Sequence, residues 1–82
     1  MPVSGIVLTC ASGTAHGVGA RIGLLEGVEV QGVVPGDRVV AVIEADSVDG
    51  EVSLFSELHE IEGVLAVQLA YHNFEDSELE RR

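Results

Sequence analysis

The run Gly63-Val64-Leu65-Ala66-Val67-Gln68-Leu69-Ala70-Tyr71-His72-Asn73-Phe74-Glu75 decides how the chain is read. A glycine closes what precedes it. An apolar stretch follows, alternates towards its end, and gives way to acidic residues. Successive side chains of a strand point to opposite faces. Leu65, Val67, Leu69 and Tyr71 therefore fall on one side, and Val64, Ala66, Gln68, Ala70 and His72 on the other. The first set is large and apolar, as a core face requires. The second is smaller and ends in groups that hydrogen-bond. A closing strand of this kind predicts a sheet with one open face.

Upstream of this run, Val48, Val52, Phe55 and Leu58 recur at helical spacing, with Ile61 near the end. Asp46 or Ser47 supplies an N-cap, Asp49, Glu51, Glu57 and Glu60 are expected on the solvated side, and Gly63 is the stop. Before that helix, Arg38 to Ala45 alternates, with Val39, Ala41 and Ile43 on one side and Arg38, Val40, Val42 and Glu44 on the other. Pro35-Gly36-Asp37 is a turn signal, because Pro presets φ and Gly accepts positive φ. It joins this strand to Val28–Val34 as a hairpin, with Val28 and Val30 inward and Glu29 and Gln31 outward. Val18, Ile22 and Leu25 predict a first helix from Thr14 to Glu26, stopped at Gly27 and weakened by Gly17, Gly19 and Gly23. Val3 to Ala11 reads as a central strand, with Ile6, Leu8 and Cys10 on one face and Gly5, Val7 and Thr9 on the other.

The order is β-α-β-β-α-β. Glu26-Gly27-Val28 and Glu62-Gly63-Val64 mark equivalent helix-to-strand junctions 36 residues apart. This weak repeat suits a duplicated split β-α-β unit, the ferredoxin-like α+β sandwich, in which two helices cover one face of a four-stranded antiparallel sheet of order 4-1-3-2. The repeat maps the inward Val28 and Val30 onto Val64 and Ala66, assigned outward above. Either a bulge intervenes or one face assignment is wrong. The folded domain is expected over residues 1–73, followed by an acidic, disordered tail over 74–82.

Eighty-two residues, 46% of them hydrophobic, make one domain with a core of Val, Leu, Ile and Ala. The single cysteine, Cys10, excludes an internal disulfide and a multi-thiolate metal site. No stretch approaches the roughly 18 apolar residues that span a bilayer. The start lacks a basic secretory signal, so the expected location is the cytoplasm. There is no lysine, and four arginines face fourteen acids, for a net charge of -10. Nucleic-acid binding needs clustered basic groups, so that class is excluded. A cationic partner would be attracted.

Gly17, Gly19 and Gly23 do not complete Gly-x-Gly-x-x-Gly, since Ile22 takes the last position, and no lysine is available for a phosphate loop. Thr9-Cys10 is similar to the start of the heavy-metal chaperone motif, which needs a second Cys where Gly13 stands. His16, His59 and His72 fall on separate elements without metal-ligand spacing. No cofactor, metal site or catalytic group is assigned, and the sequence does not look like an enzyme. It offers a surface instead. The open face is expected to carry Val7, Thr9, Glu29, Gln31, Arg38, Val40, Val42, Glu44, Gln68, Ala70 and His72. An apolar middle with a polar, acidic rim suits a bound peptide. Homodimerisation through the same face suits it equally.

Glu62 to His72 with the acidic segment after it closely resembles the end of the NapD family, small cytoplasmic chaperones for the catalytic subunit of periplasmic nitrate reductase. Ser4-Gly5-Ile6-Val7-Leu8 and Arg38 to Ala45, ending Val-x-Glu-Ala, extend the resemblance over the folded length. The glycine-rich first helix departs from it. The resemblance implies a ferredoxin-like fold and binding of the twin-arginine signal peptide of the enzyme precursor, which delays export until cofactor insertion. With it, Val7, Thr9, Glu29, Gln31, Val40, Val42, Glu44, Gln68, Ala70 and His72 become candidate peptide-binding residues. A ligand-sensing or dimerising domain of the ACT kind is the alternative.

Overall fold

A computed structural model describes the backbone of residues 2–74 and the side chains of residues 2–71. Residues 75–82, which hold all of the expected tail except Phe74, lie outside the described residues. Six elements follow one another: β1 (Pro2–Cys10), α1 (Ala15–Ile22), β2 (Val28–Val34), β3 (Arg38–Glu44), α2 (Val48–His59) and β4 (Val64–Phe74). The strands form one antiparallel sheet in the order β2-β3-β1-β4. This is the ferredoxin-like topology expected from the element order.

The core lies on one side of that sheet. Ile6, Leu8 and Cys10 of β1 and Val39, Ala41 and Ile43 of β3 are buried against Ala15, Val18 and Ile22 of α1 and Leu58 of α2. Ile6, Leu8, Ile22, Ile43 and Leu58 are fully enclosed. Burying each such side chain contributes roughly 1.5–3 kcal/mol. Cys10 belongs to this set. Burial first, and then the carboxylate of Asp37, hold its thiol above the usual range.

The first helix is shorter than the sequence predicts. It closes at Ile22, with Gly23 as C-cap. The chain then leaves through tight i→i+3 bonds from Leu24 to Arg21, Leu25 to Ile22 and Val28 to Leu25. Three interior or terminal glycines remove side-chain support for a longer α-helix, so the tighter turns win. Gly27 then turns the chain at φ +88, and its carbonyl accepts from the Glu44 amide at 2.8 Å. That bond sets the start of the β2–β3 ladder.

The second helix begins where the cap predicts. Ser47 Oγ accepts from the Gly50 amide at 3.1 Å. Its phase differs from the expectation. Glu51, assigned to solvent from sequence, is 5% exposed, and Ser4 Oγ donates to its Oε1 at 2.8 Å. Val48 and Val52, assigned to the core, are 48% and 58% exposed. Glu51, Leu54, Phe55 and Leu58 form the inward stripe, at i, i+3, i+4 and i+7.

The closing strand carries the largest correction. Pairing between β1 and β4 shifts twice: Thr9 faces Ala66 while Cys10 faces Val64, and Gly5 faces Tyr71 while Ile6 faces Leu69. Leu65 and Ala70 are thus extra residues, each a β-bulge that reverses the alternation beyond it. Val64 packs on the core, as the 36-residue repeat demands, and Ala66 stays on the outer side. Val67 is the buried member of the expected inward set. Leu65 is exposed on its bulge, Leu69 lies at the half-open margin beside α2, and Tyr71 has changed faces.

Two glycine substitutions should move stability in opposite directions. At Gly27 a Cβ would stand 2.6 Å from the Glu44 carbonyl oxygen in a backbone conformation that side chains avoid. Gly27→Ala is expected to cost about 1–3 kcal/mol in urea unfolding. Gly17, inside α1, has nothing within 4 Å of its Cβ position. Gly17→Ala is expected to add about 0.5–1 kcal/mol.

The raised Cys10 thiol predicts an alkaline loss. The folded chain keeps a proton that the unfolded chain releases, so this stabilisation is whole below the free thiol's range and falls as pH rises through the folded one. Urea midpoints measured from pH 7 to 10 should fall less in Cys10→Ala than in the parent.

Candidate functional site

The uncovered side of the sheet is built from four straight rows of paired residues. Glu44, Val3 and Asn73 occupy the first row of the ladder, at the end where β4 leaves the sheet. Glu29, Val42, Gly5 and Tyr71 form the second, running across all four strands. The third comprises Gly32, Val40, Val7 and Gln68, and the fourth Val34, Arg38, Thr9 and Ala66. Direct partners in an antiparallel pair share a face, so these rows lie side by side on one surface.

Two edge-strand bulges feed this surface. Gln31 is the extra residue in β2, between Val30 and Gly32, and Ala70 is the extra residue in β4. A bulge re-aims side chains. Here both point to one shallow cavity of about 380 Å³ lined by Gly5, Gln31, Val40, Val42, Ala70 and Tyr71. Its floor is formed by β1 at Gly5 and by β3 at Val40 and Val42. A Cβ on Gly5 would fall within 2.2–2.8 Å of three Tyr71 ring atoms. The ring therefore covers the glycine, and it is still half exposed. An aromatic side chain covering a cross-strand glycine replaces the packing that glycine lacks.

The ends of the surface differ in charge. Glu29 and Glu44, both exposed, flank Val42 at one end: Glu29 faces it across the ladder and Glu44 follows two residues on. At the far end stands Arg38, whose Nε and Nη2 donate to the Pro35 carbonyl at 3.3 and 3.0 Å. Its guanidinium is tied to the hairpin turn, leaving the acidic end to itself. A cation followed by an apolar stretch matches this polarity.

Val7, Thr9, Glu29, Gln31, Val40, Val42, Glu44, Gln68 and Ala70 all lie on this face, as the sequence places them. His72 does not share their register. The second bulge pairs it with Ser4, a position of the helix-covered side. Tyr71 and Gly5 enter the site in compensation, and neither is a sequence candidate. A glycine inside a central strand was the available signal, since such a glycine marks close approach of another group.

Other depressions are less coherent. One of about 380 Å³ beside the start of α1 brings Arg21 and Glu62 together, opposite charges with no preference for either sign of ligand. Another, of about 240 Å³, runs between α2 and β4 over Val48, Val52, Phe55 and Leu69. Among the described residues no group of three or more His, Cys, Asp or Glu is placed to hold a metal ion. No helix among them is long and apolar enough to cross a membrane.

Fold and surface together define a ferredoxin-like domain whose open sheet face carries a charge-polarised, apolar-floored site. The family model for NapD protein matches residues 1–76, and the chain belongs to the NapD family. A similar solved structure is the solution structure of the E. coli Tat proofreading chaperone protein NapD, 26% identical, with a TM-score of 0.79 over 98% of this chain and 85% of that one. No curated protein sequence matches the chain. Family and structural likeness support a chaperone role.

The tyrosine over Gly5 can be tested directly. Gly5→Ala should displace the ring into solvent, read as loss of ring-current shifts on the Gly5-strand protons. Stability should change by only about 1 kcal/mol, because the displaced group is the end of a half-exposed side chain.

Proposed function

We propose that this chain is a cytoplasmic chaperone that binds the twin-arginine signal peptide of a periplasmic nitrate reductase catalytic subunit. By holding the signal, it delays export until the enzyme has received its cofactor and folded. The observation that carries this reading is the polarity of the open face, with Glu29 and Glu44 at one end of a cavity floored by Val40, Val42 and Gly5. A twin-arginine signal is cationic and then apolar, in the same order.

The guanidinium groups meet the two carboxylates, where planar, bidentate pairing adds geometry to charge. The apolar part of the signal crosses Val42, Val40 and Val7 towards Thr9, with Gln31 and Gln68 available to its backbone. Tyr71 closes one wall and can tilt away from Gly5 to admit a larger side chain. The net charge of -10 draws the cationic end towards the domain before contact.

Titration calorimetry with a twin-arginine signal peptide and a twin-lysine control tests the reading. The arginine peptide should bind more tightly, and more weakly as salt rises. Glu44→Gln and Glu29→Gln should each reduce affinity about two- to fivefold, the range for exposed charge pairs. Unchanged affinity and salt dependence in both variants would reject the acidic end as the arginine site. Amide shifts confined to α1 and α2 on peptide addition would reject the open face altogether.

A further inference from the structure

Both outer strands carry an extra residue at the same level of the sheet. Gln31 of β2 and Ala70 of β4 each adjoin the row Val30, Ala41, Ile6 and Leu69. Both line the cavity over Gly5, Val40 and Val42, and Tyr71 stands beside Ala70 as its wall. The three atoms nearest to a Cβ built on Gly5 all belong to the Tyr71 ring. The ring is seated against β1 where a side chain is missing, and it is still 52% exposed. In the strand order, Val40 and Val42 lie between this ring and Gln31, and both are half-buried. A rigid ring already in place loses little freedom when a ligand packs on it.

We propose that this cavity is a subsite for one large apolar side chain of the bound peptide, and that Tyr71, seated on Gly5, is the residue that selects it. The subsite rests on the peptide-binding reading above and deepens it. Charge alone selects poorly. Exposed carboxylates attract any cationic segment, and each such pair changes affinity only a few-fold. A side chain of leucine size set against the ring and the two valines leaves water on several sides at once. On the opposite side Gln31 presents an amide that both donates and accepts, which suits the peptide backbone flanking that residue. The place of the subsite also limits which residue enters it. Val42 is two residues from Glu44 along β3, and Glu29 is one strand spacing from Val42 and two from Gly5. The two acidic positions therefore stand roughly 7–10 Å from the cavity. An extended peptide covers that distance in about two or three residues and a helix in about five to seven. The selected residue falls within that reach of the arginine pair.

Calorimetry on the full chain tests the subsite with twin-arginine peptides that are alanine-rich and free of tyrosine and tryptophan. A single leucine is moved through the positions from the second to the seventh after the pair. At one of them leucine should bind about five- to tenfold more tightly than alanine, the gain from half-burying three more carbons. Tyr71→Ala should bring that ratio below about twofold, and Gly5→Ala should do the same by lifting the ring. Both should keep the preference for arginine over lysine, and Tyr71→Phe should keep both preferences. The chain has one tyrosine and no tryptophan, so Tyr71 fluorescence is a second readout. It should change at saturation with the leucine peptide and not with the alanine peptide. Should Tyr71→Ala fail to fold, Gly5→Ala set beside Tyr71→Phe still decides. A leucine preference equal in the parent and Gly5→Ala, or found at none of these positions, overturns the subsite and leaves the acidic end standing. Peptides that bind none of the proteins overturn the peptide-binding reading together with the subsite.

Discussion

Two short helices can cover one face of a four-stranded sheet and no more. That constraint orders the rest of this molecule. The covered face takes Ile6, Leu8, Val39, Ala41 and Ile43 and seals them beneath Val18, Ile22 and Leu58. Strand alternation then forces Gly5, Val7, Val40 and Val42 to the other side, which neither helix covers. Among the described residues, apolar groups there are half-buried by one another and by Tyr71, Gln31 and Ala70. An open apolar face in so acidic a molecule is the feature on which the proposed peptide binding rests, since burying it against a partner would recover the hydrophobic contribution folding left aside.

Much of this was legible because it is spelled locally. Pro35-Gly36-Asp37 forms the hairpin turn, with positive φ at Gly36 and Asp37, and Ser47 caps α2 through a residue type chosen for that task. Element order follows from such signals, and the ferredoxin-like topology follows from element order. The bulges were not legible. An extra residue at Leu65 or Ala70 alters no composition and no local propensity, because it is fixed by the pairing with β1. Only the mismatch between the Val28 and Val64 junctions betrayed the first. The second brought Tyr71 over Gly5 and put His72 in register with Ser4, which the alternation by itself could not show.

The misreading of α2 has a different cause. Val48 and Val52 are as apolar as core residues, and Glu51 is a carboxylate, so periodicity turned the helix the wrong way. What decides its phase is a bond across 47 residues of sequence, from the Ser4 hydroxyl to Glu51. A buried carboxylate is tolerable only with hydrogen-bonding partners, and no local window contains them. The candidate site was read better than the helix. Glu29, Glu44, Val40 and Val42 sit on strands whose alternation is intact up to Gln31, whereas Gly5 and Tyr71 depend on a cross-strand contact.

The interruptions also fall in a telling place. β1 and β3, the two inner strands, pair without a break, while the shifts occur where β2 and β4, the two outer strands, meet them. An outer strand exposes a row of free backbone groups that can template another chain, and a bulge spoils that template by breaking its spacing and twisting it away. Under the peptide-binding reading proposed above this hazard would be acute, since an extended guest could add on sideways and invite the next. With both margins irregular, growth at the rim is discouraged and the flat of the sheet is left as the place to land. The same extra residues that shape the cavity thus help keep the sheet from becoming the seed of a fibre.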